Sequence, residues 1–344
     1  MTGNDPFRRR RAIETRASRD AEYHPHTPLG SGGEFDAIRR MLERWGPRAR
    51  RIGDDAAVVT TLGERALVAS TDTSVENVHF RSAWLTPQEI GFRATAAALS
   101  DLAAMGAKPL GILIAISVPE AWRRHLDAIT DGIGDAAAAV EAPIIGGDMS
   151  RGSELSITIT ALGTARDVLF RTSARPGDTV YVTGRLGGPL AALREFSHGR
   201  EPAAADRERF ARPMPRIAES IWLGSHGAAA AIDISDGLSA DLRHLASASR
   251  VVITADLDRL PVVEGVTVLE AASSGEEYEL IVTSPGKIDV EGFRKRFGLE
   301  ITEIGKVGHG AAQVRFMLGG EEVEPPPGFS HFTKQAGMHE AGRS

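Results

Sequence analysis

The sequence contains no cysteine, which excludes disulfide bonds, thiolate zinc sites and cysteine nucleophiles. It also lacks any apolar run of the roughly 18 residues that a membrane helix needs. No apolar segment follows the arginines near the N-terminus, as it would in a secretory signal. We therefore expect a cytoplasmic protein with no membrane partner.

Common nucleotide-binding motifs are missing as well. No lysine follows a Gly-x-x-x-x-Gly segment, and the chain has neither a Gly-x-Gly-x-x-Gly turn nor a His-Arg-Asp catalytic loop. A site for ATP in this chain would have to hold the phosphates through metal ions, glycine backbone and arginine.

The composition is that of an ordinary globular protein, with 42% hydrophobic and 25% charged residues in a chain of 344. At roughly 150 residues per domain, this length predicts two domains. The net charge of −6 argues against a nucleic-acid partner.

Predicted strands and helices alternate in both halves of the chain, which favours an α/β (α+β) fold class. We predict a disordered basic tail over 1–32, an N-terminal α/β domain over 33–172 and a C-terminal α/β domain over 173–332. Residues 333–344 are predicted to form a second tail. Within the C-terminal domain, residues 199–207 are predicted to be a polar connector.

The strongest local signal is a helix that starts after Thr86. Thr86 is a good N-cap, Pro87 suits the first helical position, and Glu89 completes a capping box. Gly106 predicts a left-handed helix stop, and the alanine-rich residues between predict a buried, closely packed helix.

Asp101 stands out in this helix because its neighbours are small and apolar. It lies near the helix C-terminus, where the backbone dipole disfavours an anion. A buried carboxylate without a partner would cost several kcal/mol, so Asp101 needs a cation or a strong donor. A bond to the hydroxyl of Ser100, or exposure to water, is the simpler alternative.

Six aspartates lie at the ends of predicted strands or helices, mostly beside Gly, Ser or Thr. These are Asp55, Asp72, Asp101, Asp148, Asp233 and Asp236. Each alone has a local explanation as a turn residue. Together in one site they would require multivalent cations, because carboxylates a few Å apart repel one another strongly. Carboxylates with neighbouring hydroxyls suit Mg²⁺, which points toward phosphoryl transfer.

These segments resemble the thiamine-monophosphate kinase family, over about residues 33–332. The matching segments, in the family's order, are Gly53-Asp54-Asp55-Ala56, Ser70-Thr71-Asp72-Thr73, Val78-His79-Phe80, Leu99-Ser100-Asp101-Leu102-Ala103-Ala104-Met105-Gly106-Ala107, Gly146-Gly147-Asp148, Arg171, Asp233-Ile234-Ser235-Asp236-Gly237-Leu238 and Gly275-Glu276-Glu277-Tyr278-Glu279-Leu280. The resemblance implies a two-domain fold like that of aminoimidazole-ribonucleotide synthetase. It also implies a homodimer whose N-terminal sheets pair, which we expect at an edge formed by strands such as 67–71 and 112–118.

The resemblance implies a role for each matching residue. The expected ligands of several Mg²⁺ ions are Asp55, Ser70, Thr71, Asp72, Asp101, Asp148, Asp233 and Asp236. Of these, Asp72, Asp101 and Asp148 are expected to serve catalysis directly. The expected ATP contacts are Gly147, Asp148, Arg171 and Ser235, and the expected contacts to thiamine monophosphate are His79, Glu276 and Phe329. K⁺ is a further candidate ion.

The implied reaction transfers the γ-phosphoryl group of ATP directly to the phosphate of thiamine monophosphate, giving thiamine diphosphate and ADP. The nucleophile is already an anionic oxygen, so the main obstacle is repulsion between two polyanions, which metal ions remove. Without the resemblance, His79 would be interpreted as a core histidine and Arg171 as half of a surface ion pair.

The chain departs from the family pattern at three places. Ala98 replaces the usual Asn before Leu-Ser-Asp, Glu277 replaces Asp, and Pro326 stands where an aromatic residue often precedes the closing Gly-Phe-Ser-His-Phe. Residues 262–272 are also short relative to the family. Two alternatives therefore stay open: a related ATP-dependent enzyme with another small acceptor, and a protein that binds Mg·ATP without turnover.

Overall fold

A computed structural model describes most of the chain, namely residues 26–30, 32–46, 49 and 52–328. The predicted tails over 1–32 and 333–344 lie almost entirely outside these residues. The chain divides into two units, whose described parts fall within residues 26–54 and 55–328. Among the described residues, no helix combines the length and the apolar character needed to cross a bilayer.

The smaller unit contains the first helix, α1 (Gly33–Trp45), with acidic residues in its first turn and Arg44 in its last. This arrangement of charge complements the helix dipole. Nearby in this unit, the backbone N–H of Thr27 donates to the carbonyl of Ile52 at 2.8 Å.

The larger unit begins with a five-stranded sheet. Its strands are β1 (Ala57–Leu62), β2 (Arg65–Val75), β3 (Lys108–Val118), β4 (Ile144–Arg151) and β5 (Ser156–Ala165). The spatial order is β1-β2-β5-β3-β4, and only β3 and β4 run parallel. Every second residue of β5 is buried, so helices cover one face of this sheet and the other face is open.

The expected edge strands were wrong. Residues 67–71 lie in β2 and residues 112–118 lie in β3, and each of these strands has a hydrogen-bonded neighbour on both sides. The actual edges are β1 and β4. Edge position depends on long-range pairing, which local sequence does not reveal.

Two helices lie on the covered face: α2 (Pro87–Ala104) and α3 (Leu126–Ala139), the latter preceded by a 3₁₀ turn over Glu120–His125. The predicted capping box is confirmed, because Thr86 and Glu89 accept hydrogen bonds from each other's backbone N–H. The left-handed stop at Gly106 is confirmed too, with φ of 65°.

The contact between α2 and α3 depends on two glycines. A Cβ atom on Gly91 would lie 2.0 Å from the carbonyl oxygen of Ile129, and one on Gly132 would lie 1.9 Å from that of Gln88. The helix backbones therefore approach more closely than any side chain would allow. This close contact fixes the position of α2, and with it Asp101.

The larger unit continues with a second, seven-stranded sheet of order β12-β11-β8-β10-β6-β9-β7, in which only β11 and β8 run parallel. The strands are β6 (Thr179–Thr183), β7 (Ala230–Asp233), β8 (Val252–Asp256), β9 (Leu280–Ser284), β10 (Ile301–Gly308), β11 (Gln313–Leu318) and β12 (Glu321–Val323). The helices are α4 (Gly188–Ser197), α5 (Ala204–Ala211), α6 (Ile217–Ser225), α7 (Leu238–Ser249), α8 (Val268–Ala272) and α9 (Val290–Phe297).

The predicted connector over 199–207 was partly wrong, because helix α5 begins at Ala204. Its sequence is strongly polar and buries only Phe210 and Ala211, so apolar periodicity did not reveal it.

Helix α2 contacts strands of both sheets, and Ser100 donates a 2.7 Å hydrogen bond to Asp233 at the end of β7. Helix α2 therefore joins the two sheets.

We expect Gly91→Ala to lower the free energy of unfolding by about 2 kcal/mol or more, because the added methyl group cannot be placed without separating the helices. Gly134→Ala in α3 is the matched control, since its Cβ would meet nothing within 4 Å. The control should stabilise the protein by up to about 1 kcal/mol through helix propensity. Urea unfolding measures both changes, and equal effects would contradict the packing argument.

Candidate active site at the end of helix α2

Asp101 lies in the last turn of α2 and faces strand β2. The hydroxyl of Ser70 donates a short hydrogen bond to its carboxylate. Burial raises the pKa of Asp101 well above its usual value, and the charges of Asp233, Asp55 and Asp72 raise it further. Asp101 therefore has a strong hydrogen-bond donor, as its apolar surroundings in the sequence predict.

Asp233 ends β7 and is almost fully buried, at 3% exposure. Burial and the nearby Asp55 raise the pKa of Asp233 to about 7, although the hydrogen bond from Ser100 opposes this shift. Asp55 is also buried, and Arg171 holds it with two hydrogen bonds, of which Nε to Oδ2 measures 2.7 Å. The carbonyl of Arg171 accepts from Ser249, which fixes this arginine against α7.

Asp55, Asp101 and Asp233 form one group, which we call the carboxylate cluster. One carboxylate oxygen from each lies within 4.8 Å of the others. Three carboxylates this close are unfavourable unless protons or cations neutralise them. Oxygen donors with a neighbouring hydroxyl are the set that Mg²⁺ prefers, so the residues present fit this ion.

Strand β2 presents its predicted ligands on both faces of the sheet. Ser70 and Asp72 share the face toward α2, since alternate residues of a strand point the same way. Thr71 points to the open face, where its hydroxyl lies 3.2 Å from that of Thr160. Thr73 makes a similar pair with Thr158 at 2.9 Å.

Within one chain, the structure does not bring Asp148 to the carboxylate cluster. Asp148 pairs with Ala115, which pairs with Thr158, which pairs with Thr73. It therefore lies on the open face, three strand spacings from β2, or about 14 Å at about 4.8 Å per strand. Gly147, its neighbour in β4, is likewise exposed at the sheet edge.

Asp236 belongs to a second group, with Asp241 and His244, whose ligand atoms also lie within 4.8 Å of one another. Asp241 accepts from the backbone N–H groups of Asp236 and Gly237, at 3.2 and 3.1 Å. Burial and the charge of Arg171 lower the pKa of His244 to about 4. Sequence reasoning missed Asp241 and His244, although their three-residue spacing on α7 places them on one helix face.

A small cavity of about 20 Å³ adjoins Asp72. Its lining includes two of the predicted acceptor contacts, and the full set is Asp72, Thr73, Ser74, His79, Arg93, Ala97, Glu276 and Tyr278. His79 Nδ1 accepts a hydrogen bond from the backbone N–H of Val75 at 3.1 Å. The third predicted contact, Phe329, lies outside the described residues.

The segment that carries Glu276 has an unusual backbone. Both Glu276 and Tyr278 have positive φ, at 64° and 50°, which side-chain-bearing residues adopt only under constraint. Glu279 is fully buried and accepts from Arg216 Nε at 2.9 Å and from Thr183 at 2.6 Å. These contacts anchor Glu279 in the core, while Glu276 lines the cavity.

Sequence reasoning also missed Arg93, which faces this cavity from the middle of α2. A charged residue in an otherwise apolar helix was the available signal, and it resembles the signal that drew attention to Asp101.

Comparisons with known proteins identify the family of this chain. Residues 53–165 match the N-terminal domain of AIR synthase related protein, and residues 175–316 match the C-terminal domain. A thiamine-monophosphate kinase of Haemophilus influenzae is 34% identical, over 87% of this chain and 98% of its own length. One of Halobacterium salinarum is 37% identical, over 80% and 94%.

The chain belongs to the thiamine-monophosphate kinase family. A solved structure, AaThiL complexed with AMPPCP and TMP, superimposes with a TM-score of 0.76 at 31% identity, over 88% of this chain and 97% of that one. The predicted two-domain α/β fold is thereby confirmed. The roles of individual site residues stay predictions for this family member.

The carboxylate cluster leads to a prediction about the metal-free protein. We expect Asp101→Asn to stabilise it by roughly 1 kcal/mol, because the change keeps the volume and removes a carboxyl group whose ionisation burial and the neighbouring carboxylates oppose. Mg²⁺ should raise the melting temperature of the wild type and have little effect on the variant. Equal Mg²⁺-dependent shifts in the two proteins would contradict the assignment of Asp101 as a ligand.

The same cluster predicts a pH dependence for the metal-free protein. The pKa of Asp233 is about 7 in the folded protein and about 4 in the unfolded chain, so the folded state binds an extra proton between these values. The contribution of Asp233 to the free energy of unfolding should therefore fall as pH rises from about 4 to about 7. Thermal unfolding in a chelating buffer, with Asp101→Asn as the comparison, measures this loss, which should be smaller in the variant.

Proposed function

We propose that this chain phosphorylates thiamine monophosphate with ATP, giving thiamine diphosphate and ADP, and that it does so in the cytoplasm. The observation that carries the proposal is the position of Asp72. Asp72 lines the cavity that holds Glu276 and His79, and its charge also acts on Asp101 in the carboxylate cluster. A phosphate-binding metal site and an acceptor site would thus meet at one side chain.

The residues of the site would mainly position the two substrates and neutralise the charge of their phosphates. The acceptor oxygen belongs to an ionised phosphate, so no side chain is needed to remove a proton from it. Asp55, Asp101 and Asp233, with Asp72 and Ser70, would hold Mg²⁺, which when bound supplies positive charge to the phosphates. Arg171 keeps Asp55 oriented through its two hydrogen bonds.

A direct assay tests the proposal. Purified protein with Mg·ATP should produce thiamine diphosphate and ADP when thiamine monophosphate is present, and almost no ADP without it. Asp101→Asn should reduce turnover by at least about 100-fold while the protein stays folded. ADP release that does not depend on thiamine monophosphate would favour another acceptor. Binding of Mg·ATP without turnover would favour a non-catalytic role.

The proposal includes a homodimer formed through the open face of the first sheet. Large apolar side chains are exposed there: Leu62 at 56%, Leu113 at 38% and Ile145 at 52%. A second copy of the chain would cover these side chains. It would also bring Asp148, which is remote from the carboxylate cluster of its own chain, to the partner's site.

Mixed dimers test this arrangement. Asp101→Asn and Asp148→Asn should each be inactive alone, but a mixture should recover about a quarter of wild-type activity. Random pairing makes about half of the dimers mixed, and each would contain one site with both aspartates intact. No recovery on mixing, after confirmed subunit exchange, would show that Asp148 does not act across the interface.

A further inference from the structure

We propose that Arg93 is a positioning residue for the acceptor, because it fixes the carboxylate of Glu276 at the cavity. This inference rests on the proposed function and identifies a residue that the family motifs leave without a role. Arg93 lies in the middle of α2, is 3% exposed, and pairs with Glu276 through Nη2.

Three contacts determine where the Arg93 guanidinium lies. Besides the ion pair with Glu276, its Nη1 donates to the carbonyl of Phe210 at 3.1 Å, and the group stacks 4.4 Å from the centre of the Phe210 ring. A planar guanidinium held on three sides has little freedom to turn. It therefore presents Nη2 to Glu276 in one orientation.

Glu276 is constrained by its own contacts as well. The hydroxyl of Tyr278 donates to its carboxylate at 3.1 Å, and its backbone N–H donates to the carbonyl of Ser235 at 2.7 Å. Its side chain remains 27% exposed, so the carboxylate can still meet a ligand. Arg93 and Tyr278 thus direct a fixed, accessible anion into the cavity.

The charges of the cavity match the proposed acceptor. Asp72 and Glu276 contribute two negative charges and Arg93 one positive charge, so these three side chains together carry a net charge of −1. A cationic heterocycle such as thiazolium is favoured beside a fixed carboxylate. Without Arg93, the two acids would repel each other and Glu276 would turn toward water.

A purely structural role for Arg93 predicts a different outcome. The cation also links α2 to α5 through Phe210, so its loss could simply loosen this packing. The two roles separate in a double-mutant cycle. If Arg93 acts through Glu276, removing both side chains should weaken acceptor binding no more than removing one.

The experiment measures the dissociation constants of thiamine monophosphate and Mg·ATP by calorimetry. It uses Arg93→Met, Glu276→Gln and the double variant. Arg212→Met is the matched control, since Arg212 also stacks on an aromatic ring, that of Phe92 at 4.1 Å, but does not line the cavity. Arg93→Lys keeps a cation beside Glu276. It provides a second test of Arg93 if Arg93→Met does not fold.

We expect Arg93→Met and Glu276→Gln each to weaken thiamine monophosphate binding about tenfold, and the double variant to be within about twofold of either. Arg93→Lys should restore most of the affinity, while Mg·ATP binding stays within about twofold throughout. Additive losses, equal weakening of Mg·ATP, or unchanged acceptor binding would each overturn the inference. A wild-type protein that does not bind thiamine monophosphate would overturn the proposed function itself.

Discussion

The repulsion among three crowded carboxylates is the constraint on which the rest of the larger unit depends. Asp55, Asp101 and Asp233 come from a loop, a helix and a strand, and each has a donor of its own. Arg171 neutralises Asp55. The hydroxyl of Ser70 donates a hydrogen bond to Asp101, and that of Ser100 donates one to Asp233. Such a cluster is unstable in a loosely packed site, because a small displacement would leave a charge without a partner. The close contact of α2 with α3 at Gly91 and Gly132 holds in place the helix that carries Asp101.

Local signals predicted much of this arrangement. The capping residues before α2 and the glycine after it determine where the helix starts and stops, and these depend only on near neighbours. Asp101 was identifiable because a carboxylate among alanines conflicts with burial. The prediction that Asp55 and Asp233 would lie near it came from a family resemblance, since their sequence separation is too large for periodicity to relate them.

The parts that sequence reasoning missed depend on long-range pairing. Whether a strand is interior or at an edge is decided by partners far away in the chain, as β2 and β3 illustrate. The face on which Asp148 lies follows from the register of four strands, and no local pattern contains that information. Arg93 and His244 gained meaning only when the fold placed them beside acidic residues.

The two threonine pairs on the open face of the first sheet affect how easily that face can lose water. In each pair, Thr71 with Thr160 and Thr73 with Thr158, either hydroxyl can be the donor. The pairs satisfy part of their hydrogen bonding internally, so dehydration would cost less than for four isolated hydroxyls. Each pair also keeps one O–H group and several lone pairs for a new neighbour. By rotating, the same row of side chains could accommodate either an anion or a cation without any change in the backbone.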